Sequence, residues 1–186
     1  MALREIRDEI LQADLPLSEE ASNMVFGRGN HDAPVFIVGE APGEDEDREG
    51  EPFVGRSGDV LSDGLSQAGL EEGEDTYIAN MVKYRPPNNR DPRVDEIQAH
   101  APFLLEQIHA VHPAIIVSLG NTASEFFKGD DEVFSGITQE RGETFSVDVH
   151  GVEHRVLPTF HPAATLYDAS LKDTFIDDLN RVRELI

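Results

Sequence analysis

Two hydrophobic periods alternate along this chain. LREIRDEILQ at the start spaces Leu3, Ile6 and Ile10 on one helical face. PVFIVGEAPG (34–43) is a short apolar run that ends in a glycine-proline turn, the pattern of a buried strand. A helix is predicted over about 57–68, and TYIANMVKY (76–84) reads as a second strand. Residues 94–112 return to the helical period, with Val94, Ile97, Ala101, Leu104, Ile108 and Val111 as the inner stripe. AIIVSLG (114–120) is a third strand leading into a helix near Thr122, and FSVDVHGVEHRVLP (145–158) predicts a hairpin turning at His150-Gly151. Its second arm ends at His161. The last helix sets Leu171, Phe175, Leu179, Val182 and Ile186 on one side.

Strands alternating with helices imply an α/β fold, with a mainly parallel sheet between helical layers. The expectation is one domain over 1–186, a three-layer α/β/α sandwich on four central strands. Ligands bind such sheets beyond the carboxyl ends of the strands. The unusual residues collect there: Glu40 after the first strand, Asn80 toward the end of the second, Gly120-Asn121 after the third and His161 after the fourth.

Composition narrows the chemistry. A chain of 186 residues, 39% hydrophobic, suits one core. It has no apolar run of membrane length, and its charged first segment is not a secretory signal, so a soluble, cytoplasmic protein is expected. Cysteine is absent, which excludes disulfides, thiolate metal sites and a cysteine nucleophile. His109 and His112 stand three apart without a carboxylate pattern, so they read as a helix end and no metal is expected. The net charge of −22 disfavours a polyanion as partner at low salt. Yet the acid is spread along the whole chain, and only Lys83, Lys128 and Lys172 are lysine, a pattern that fits a halophilic protein working in molar salt. There a nucleic-acid binder relies on stacking, shape and neutral hydrogen bonds.

Several stretches carry candidate chemistry. Gly39, Pro42 and Gly43 allow a sharp turn and close approach to a ligand. No GxxxxGK[ST] is present, which disfavours a P-loop nucleotidase. Glu44, Asp45, Glu46 and Asp47 lack calcium-loop spacing and read as a solvated acidic loop. Phe53, between Gly50, Pro52 and Gly55, falls outside any core period and suits stacking on a base. KYRPPNNRDPR (83–93) holds Lys83, Arg85, Arg90 and Arg93, a local reversal of sign that reads as salt-bridging or as a backbone-contacting strip.

GEAPGEDEDREGEPFVGRSG, IANMVKYRPPNNRDP, VSLGNTA and PTFHPAATL, in this order, resemble the uracil-DNA glycosylase superfamily, and within it the family-4 type, from about Val25 to Leu166. The resemblance implies hydrolytic excision of uracil from DNA by a monofunctional, monomeric enzyme that initiates base excision repair. It implies uracil-containing DNA as the partner, with replication or repair proteins as further ones. Phe53 would stack on the flipped base, Asn80 would pair with its N3–H and O4 edge, and His161 would donate to O2. Ala41 stands where better-known relatives have a water-positioning aspartate, so Glu40 first and Glu46 second become the catalytic carboxylates. Gly43 stands where those relatives exclude thymine with tyrosine, a task Glu46 would take over. Arg56 and Ser57 at a helix start would hold a phosphate, Lys83, Arg85 and Arg90 would contact the backbone, and Thr165, Leu166 and Tyr167 would supply the wedge. Family-4 enzymes hold a [4Fe–4S] cluster on four cysteines; the matching positions here are Gln12, Leu15, Tyr84 and His100. No cluster or other cofactor is expected, with Leu15 and Tyr84 filling the space. A homologue that binds uracil or damaged DNA without cutting it, or an acidic adaptor, are the competing readings.

Overall fold

The computed structural model describes residues 2–129 and 133–186. Among them one sheet holds β1 (Arg28–Gly29), β2 (Val35–Gly39), β3 (Thr76–Asn80), β4 (Ile115–Leu119), β5 (Phe145–Val149) and β6 (Val152–Thr159). The spatial order is β1-β3-β2-β4-β6-β5. β3, β2, β4 and β6 are parallel, as expected, and β1 and β5 add antiparallel edges. The helices are α1 (Leu3–Gln12), α2 (Glu44–Glu49), α3 (Arg56–Gln67), α4 (Val94–Val111), α5 (Gly120–Lys128), α6 (Ile137–Glu140), α7 (Pro162–Tyr167) and α8 (Leu171–Leu185).

All residues of β2 are buried, and they divide between two cores. Phe36 and Val38 pack with residues of α1, α4 and α5, while Val35 and Ile37 pack with α3 and α8. Side chains alternate across a strand, so a continuous apolar run needs cover on both faces. This produces the three-layer α/β/α sandwich.

Four local expectations change. The acidic run is not a loop: Glu44–Glu49 form α2, opened by Gly43, whose N–H donates to Glu46 Oε2 at 3.0 Å, and closed by Gly50 at φ 77°. Carboxylates suit a helix N-terminus, where free N–H groups need acceptors. The second strand stops at Asn80, four residues earlier than the apolar pattern. The inner face of α4 is Glu96, His100, Leu104, Gln107, Ile108 and Val111, whereas Val94 is 70% exposed. Its buried polar groups have partners of their own: Glu96 pairs with Arg90, and Gln107 Nε2 donates to Phe26 O at 3.0 Å. Ile186 also lies outside the last helix's inner stripe, which is Phe175, Asp178, Leu179 and Val182.

The register levels the carboxyl ends of the strands: Gly39 is opposite Asn80, and Leu119 is opposite Thr159. The chain leaves β2 for β3 on one side and later returns to β4 on the other. Loops diverge at such a switch point and leave a crevice.

Candidate active site

A cleft of about 710 Å³ opens at that crevice, bordered by Glu40, Ala41, Gly43, Glu46, Phe53, Ser57, Asn80 and His161. Its floor depends on a missing side chain. A Cβ at Gly39 would come within 2.7 Å of the Phe53 ring, and closer still to Asn80 Oδ1. The amide and the aromatic ring thus converge over bare backbone.

Asn80 is 2% exposed, and its Oδ1 has no hydrogen-bond partner among the described residues. A buried amide oxygen without a donor is costly in a finished core. Asn80 borders the cleft, so this unmet acceptor lies beside it.

Phe53 is buried although it falls outside any core period. It is 7% exposed, with φ 54°, and its ring stacks against His161 at 5.7 Å between centroids and 30° between planes. Glu46 holds the strand of loop beside it: Oε1 accepts from Val54 N and Gly55 N, each at 3.0 Å. Both oxygens of Glu46 are therefore engaged by backbone N–H groups, and the carboxylate also occupies the space above Gly43, where a Cβ would lie 2.8 Å from Oε2.

His161 caps α7. Its Nδ1 accepts from Ala163 N at 3.1 Å, which leaves the ring proton on Nε2. Nε2 has no partner among the described residues. Burial lowers the imidazole to about 4, against a small opposing pull from Glu46, so the ring is neutral near pH 7. The group offers a neutral N–H donor to the cleft.

Glu40 Oε2 accepts from Thr122 Oγ1 at the start of α5. Burial raises this carboxyl above its ordinary range; the Thr122 bond opposes the shift and the charge of Asp91 adds to it. Asn89, Asp91, Asn121 and Thr122 also border the cleft. Sequence reading did not single out Asn89, Asp91 or Thr122, because polar loop residues carry no periodic signal.

The predicted DNA-contacting residues separate into two groups. Arg56 is exposed at the first position of α3, and Ser57 borders the cleft. Leu166 and Tyr167 project at the end of α7, Tyr167 at 92% exposure. Arg85 is engaged in part, with Nε donating to Asn89 Oδ1 at 2.7 Å and Glu44 3.5 Å from its guanidinium. Three assignments fail on burial or pairing. Lys83 is fully buried, its Nζ donating to Asn80 O at 2.6 Å, and burial lowers it to about 7. Arg90 makes a two-pronged pair with Glu96 at 2.8 and 2.6 Å. Thr165 is buried, and its Oγ1 donates to Pro162 O at 2.8 Å, so it is no wedge.

The positions that match cluster cysteines do not fit an iron–sulfur group. Gln12 is exposed at the end of α1, and Leu15 and Tyr84 lie in one hydrophobic core. His100 uses both ring nitrogens on backbone: Nδ1 accepts from Lys83 N at 3.3 Å, and Nε2 donates to Pro16 O at 3.1 Å. An iron–sulfur cluster needs thiolates, and this donor set has none. Among the described residues no group of three or more histidine, aspartate or glutamate side chains could hold a metal ion. Nor is any described helix long and apolar enough to cross a membrane.

Residues 26–182 match the profile of the Uracil DNA glycosylase superfamily. A Type-4 uracil-DNA glycosylase of Sulfurisphaera tokodaii is 41% identical over 186 residues, covering 99% of this chain and 84% of the relative. One of Archaeoglobus fulgidus is 41% identical over 170 residues, 91% of this chain and 85% of the relative. One of Thermotoga maritima is 43% identical over 173 residues, 92% and 87% of the two chains. The sequence match begins at Phe26, ahead of β2, and ends within α8, enclosing every loop that lines the cleft; the chain belongs to the uracil DNA glycosylase superfamily.

Proposed function

We propose that this protein is a monofunctional uracil-DNA glycosylase that hydrolyses the N-glycosidic bond of deoxyuridine in DNA and starts base excision repair. The observation that carries the reading is the pair of open hydrogen-bonding groups in one cleft: the acceptor Asn80 Oδ1 and the donor His161 Nε2–H, beside the Phe53 ring. Uracil presents the complement, an N3–H donor and an O2 acceptor on one planar ring.

The base must leave the duplex stack to reach such a cleft. Phe53 supplies its stacking face, and Asn80 pairs with N3–H and O4. As the C1′–N1 bond breaks, its electron pair leaves with uracil and negative charge gathers on O2, where His161 Nε2–H donates. A preformed donor aimed at developing charge is worth most in a site sheltered from water. Water bonds to C1′, and Glu40 orients it and takes its proton; the raised affinity of this carboxyl for a proton suits that task. Glu46 acts indirectly, holding the Phe53 loop and crowding the side of the cleft that a thymine methyl would enter.

Arg56 and Ser57 hold a phosphate beside the cleft, and Leu166 and Tyr167 fill the gap that the flipped base leaves. The reaction proceeds without an iron–sulfur cluster: Leu15, Tyr84 and His100, at the matching positions, are engaged within the fold and offer no thiolate. The charge of −22 adapts the surface to molar salt, so activity and melting temperature rise together with KCl.

The test is a uracil-containing oligonucleotide, single- and double-stranded, incubated with purified protein in high-salt buffer. Alkali-labile abasic sites, with no strand cut before alkali, are expected. Tight uracil-dependent binding without abasic product would instead make it a binding homologue.

A further inference from the structure

Phe53 keeps a left-handed backbone, a conformation that bulky L residues rarely adopt without outside support. Part of the support is local. Glu46 takes the N–H groups of Val54 and Gly55, and Gly58 leaves room for the Phe53 carbonyl, which any Cβ there would strike. The rest comes from the edge of the sheet, away from the cleft. Arg28 in β1 donates from Nε to Pro52 O at 2.8 Å and from Nη2 to Phe53 O at 3.3 Å. Those carbonyls belong to the two peptide planes on either side of the Phe53 Cα, so fixing both fixes its φ and ψ. The remaining nitrogen, Nη1, pairs with Glu72, which also accepts from Ser62 Oγ in α3. The planar fork is therefore oriented from behind while it holds the loop in front. Lysine, with a compact ammonium on a flexible stem, does not reproduce that geometry.

We propose that Arg28 is a positioning residue for base recognition: through the carbonyls of Pro52 and Phe53 it sets the ring on which uracil stacks. Arg28 does not border the cleft, so it acts without touching the base. The proposal rests on Phe53 being the stacking face, and the experiment separates the two claims.

The measurements are kcat/KM on a single-stranded uracil oligonucleotide, inhibition by free uracil, and melting temperature, for Arg28→Met, Phe53→Ala and the double variant. Arg28→Met should lower kcat/KM and weaken inhibition by free uracil, each by about tenfold, a coupling typical of groups in direct contact. In the Phe53→Ala background it should change neither. Arg28→Lys should recover only part of the loss, and Glu72→Gln should show a smaller loss of the same kind. Wild-type kinetics in Phe53→Ala would remove the stacking reading itself. An impaired Phe53→Ala together with an unimpaired Arg28→Met would overturn the role of Arg28. So would an equal fractional loss from Arg28→Met in both backgrounds, since that marks general destabilisation or a DNA contact. If Arg28→Met does not fold, Arg28→Lys and Glu72→Gln replace it in the same cycle: a loss confined to the Phe53 background supports the role of Arg28, and an equal loss in both backgrounds overturns it.

Discussion

His100 is fully buried and His161 is half-buried at the cleft, yet burial lowers both imidazoles to about 4. Both accept a backbone N–H on Nδ1, from Lys83 and from Ala163, and so carry the proton on Nε2. The difference lies at the other end of the ring. His100 Nε2 donates to Pro16 O at 3.1 Å, while Tyr84 packs edge-on at 6.0 Å. His161 Nε2–H faces the cleft with no partner among the described residues. Burial and a shifted proton affinity are thus shared by a packing histidine and the one proposed to act chemically, and the unused hydrogen-bonding capacity separates them. That capacity must also be in the right place. Gln107 Oε1 and His154 Nε2 are buried without partners among the described residues too, but neither residue borders the cleft, whereas Asn80 does.

The sharpest way to break this contrast is to truncate each ring. His161→Ala should lower kcat by a factor on the order of 10² to 10³, the usual loss for a donor aimed at developing charge, while losing the α7 cap should cost only about 1 kcal/mol of stability. Asn80→Ala should lose at least about 10² by the same reasoning. His100→Ala should do the reverse: a cavity, an unpaired Lys83 N–H and an unpaired Pro16 carbonyl should cost about 2–4 kcal/mol of stability. Its folded fraction should turn over at nearly the wild-type rate. Steady-state kinetics and denaturant titration of the same preparations decide it. A stable but inactive His100→Ala would show that the two histidines are not the different kinds of group described.

A smaller effect is expected from Gly39→Ala, which removes none of the proposed site side chains. Its methyl would enter the space between the Phe53 ring and Asn80 Oδ1, so one of them must move. Overpacking of this kind costs about 1–3 kcal/mol, and here it should appear as a loss of about tenfold or more in kcat/KM. Unchanged kinetics would mean that Asn80 and Phe53 are not fixed relative to each other.

Much of this was legible in the sequence, for identifiable reasons. β2, β3 and β4 are largely apolar runs, and the proposed site residues Glu40, Asn80 and His161 follow at or just beyond strand ends, where fold geometry alone gathers them. What periodicity missed was polarity inside. Glu96, His100 and Gln107 turn the buried face of α4 away from the apolar stripe because each has its own partner, and partners distant in sequence, such as Phe26 for Gln107, leave no spacing to read. Lys83 and Arg90 looked like a basic strip for the same reason, since charge in a sequence does not reveal a partner. The acidic run misled in the opposite sense. Glu46 lies among four successive carboxylates, yet it alone reaches back to three backbone N–H groups.

Lowered proton affinity gives the two histidines one property in common, and it can be measured. The unfolded chain takes up protons near the ordinary imidazole value of about 6.5, well before the folded one does near 4. Stability contributed by either neutral ring is therefore complete above about pH 6.5 and falls as pH drops toward about 4, by on the order of 1–3 kcal/mol per group. His161 keeps contact with solvent through the cleft, so its share should be the smaller. Chemical denaturation between pH 7 and 4 should show a shallower acid loss in His100→Asn than in the wild type. An unchanged slope would place the titrating groups elsewhere.

The mildest test concerns two arginines on either side of the cleft. Arg56 is exposed at the start of α3 with no carboxylate paired to it among the described residues, whereas Arg90 spends its guanidinium on Glu96, whose carboxyl it holds down at about 2. A phosphate contact releases counterions, so losing one should flatten the plot of log affinity against log salt by about 0.7 for single-stranded DNA and 0.9 for duplex. Arg56→Gln should show that change, with affinity reduced only a few-fold near 0.1 M salt. Arg90→Gln should leave the salt slope as it is and lower the melting temperature, because Glu96 stays buried with its charge unpaired. Fluorescence anisotropy of a labelled uracil-free oligonucleotide, repeated over a salt series, reads the slope directly. A flatter slope in Arg90→Gln with Arg56→Gln unchanged would move the DNA path to the other side of the cleft, past Pro87 and Arg93, while leaving the chemistry assigned to Asn80 and His161 untouched.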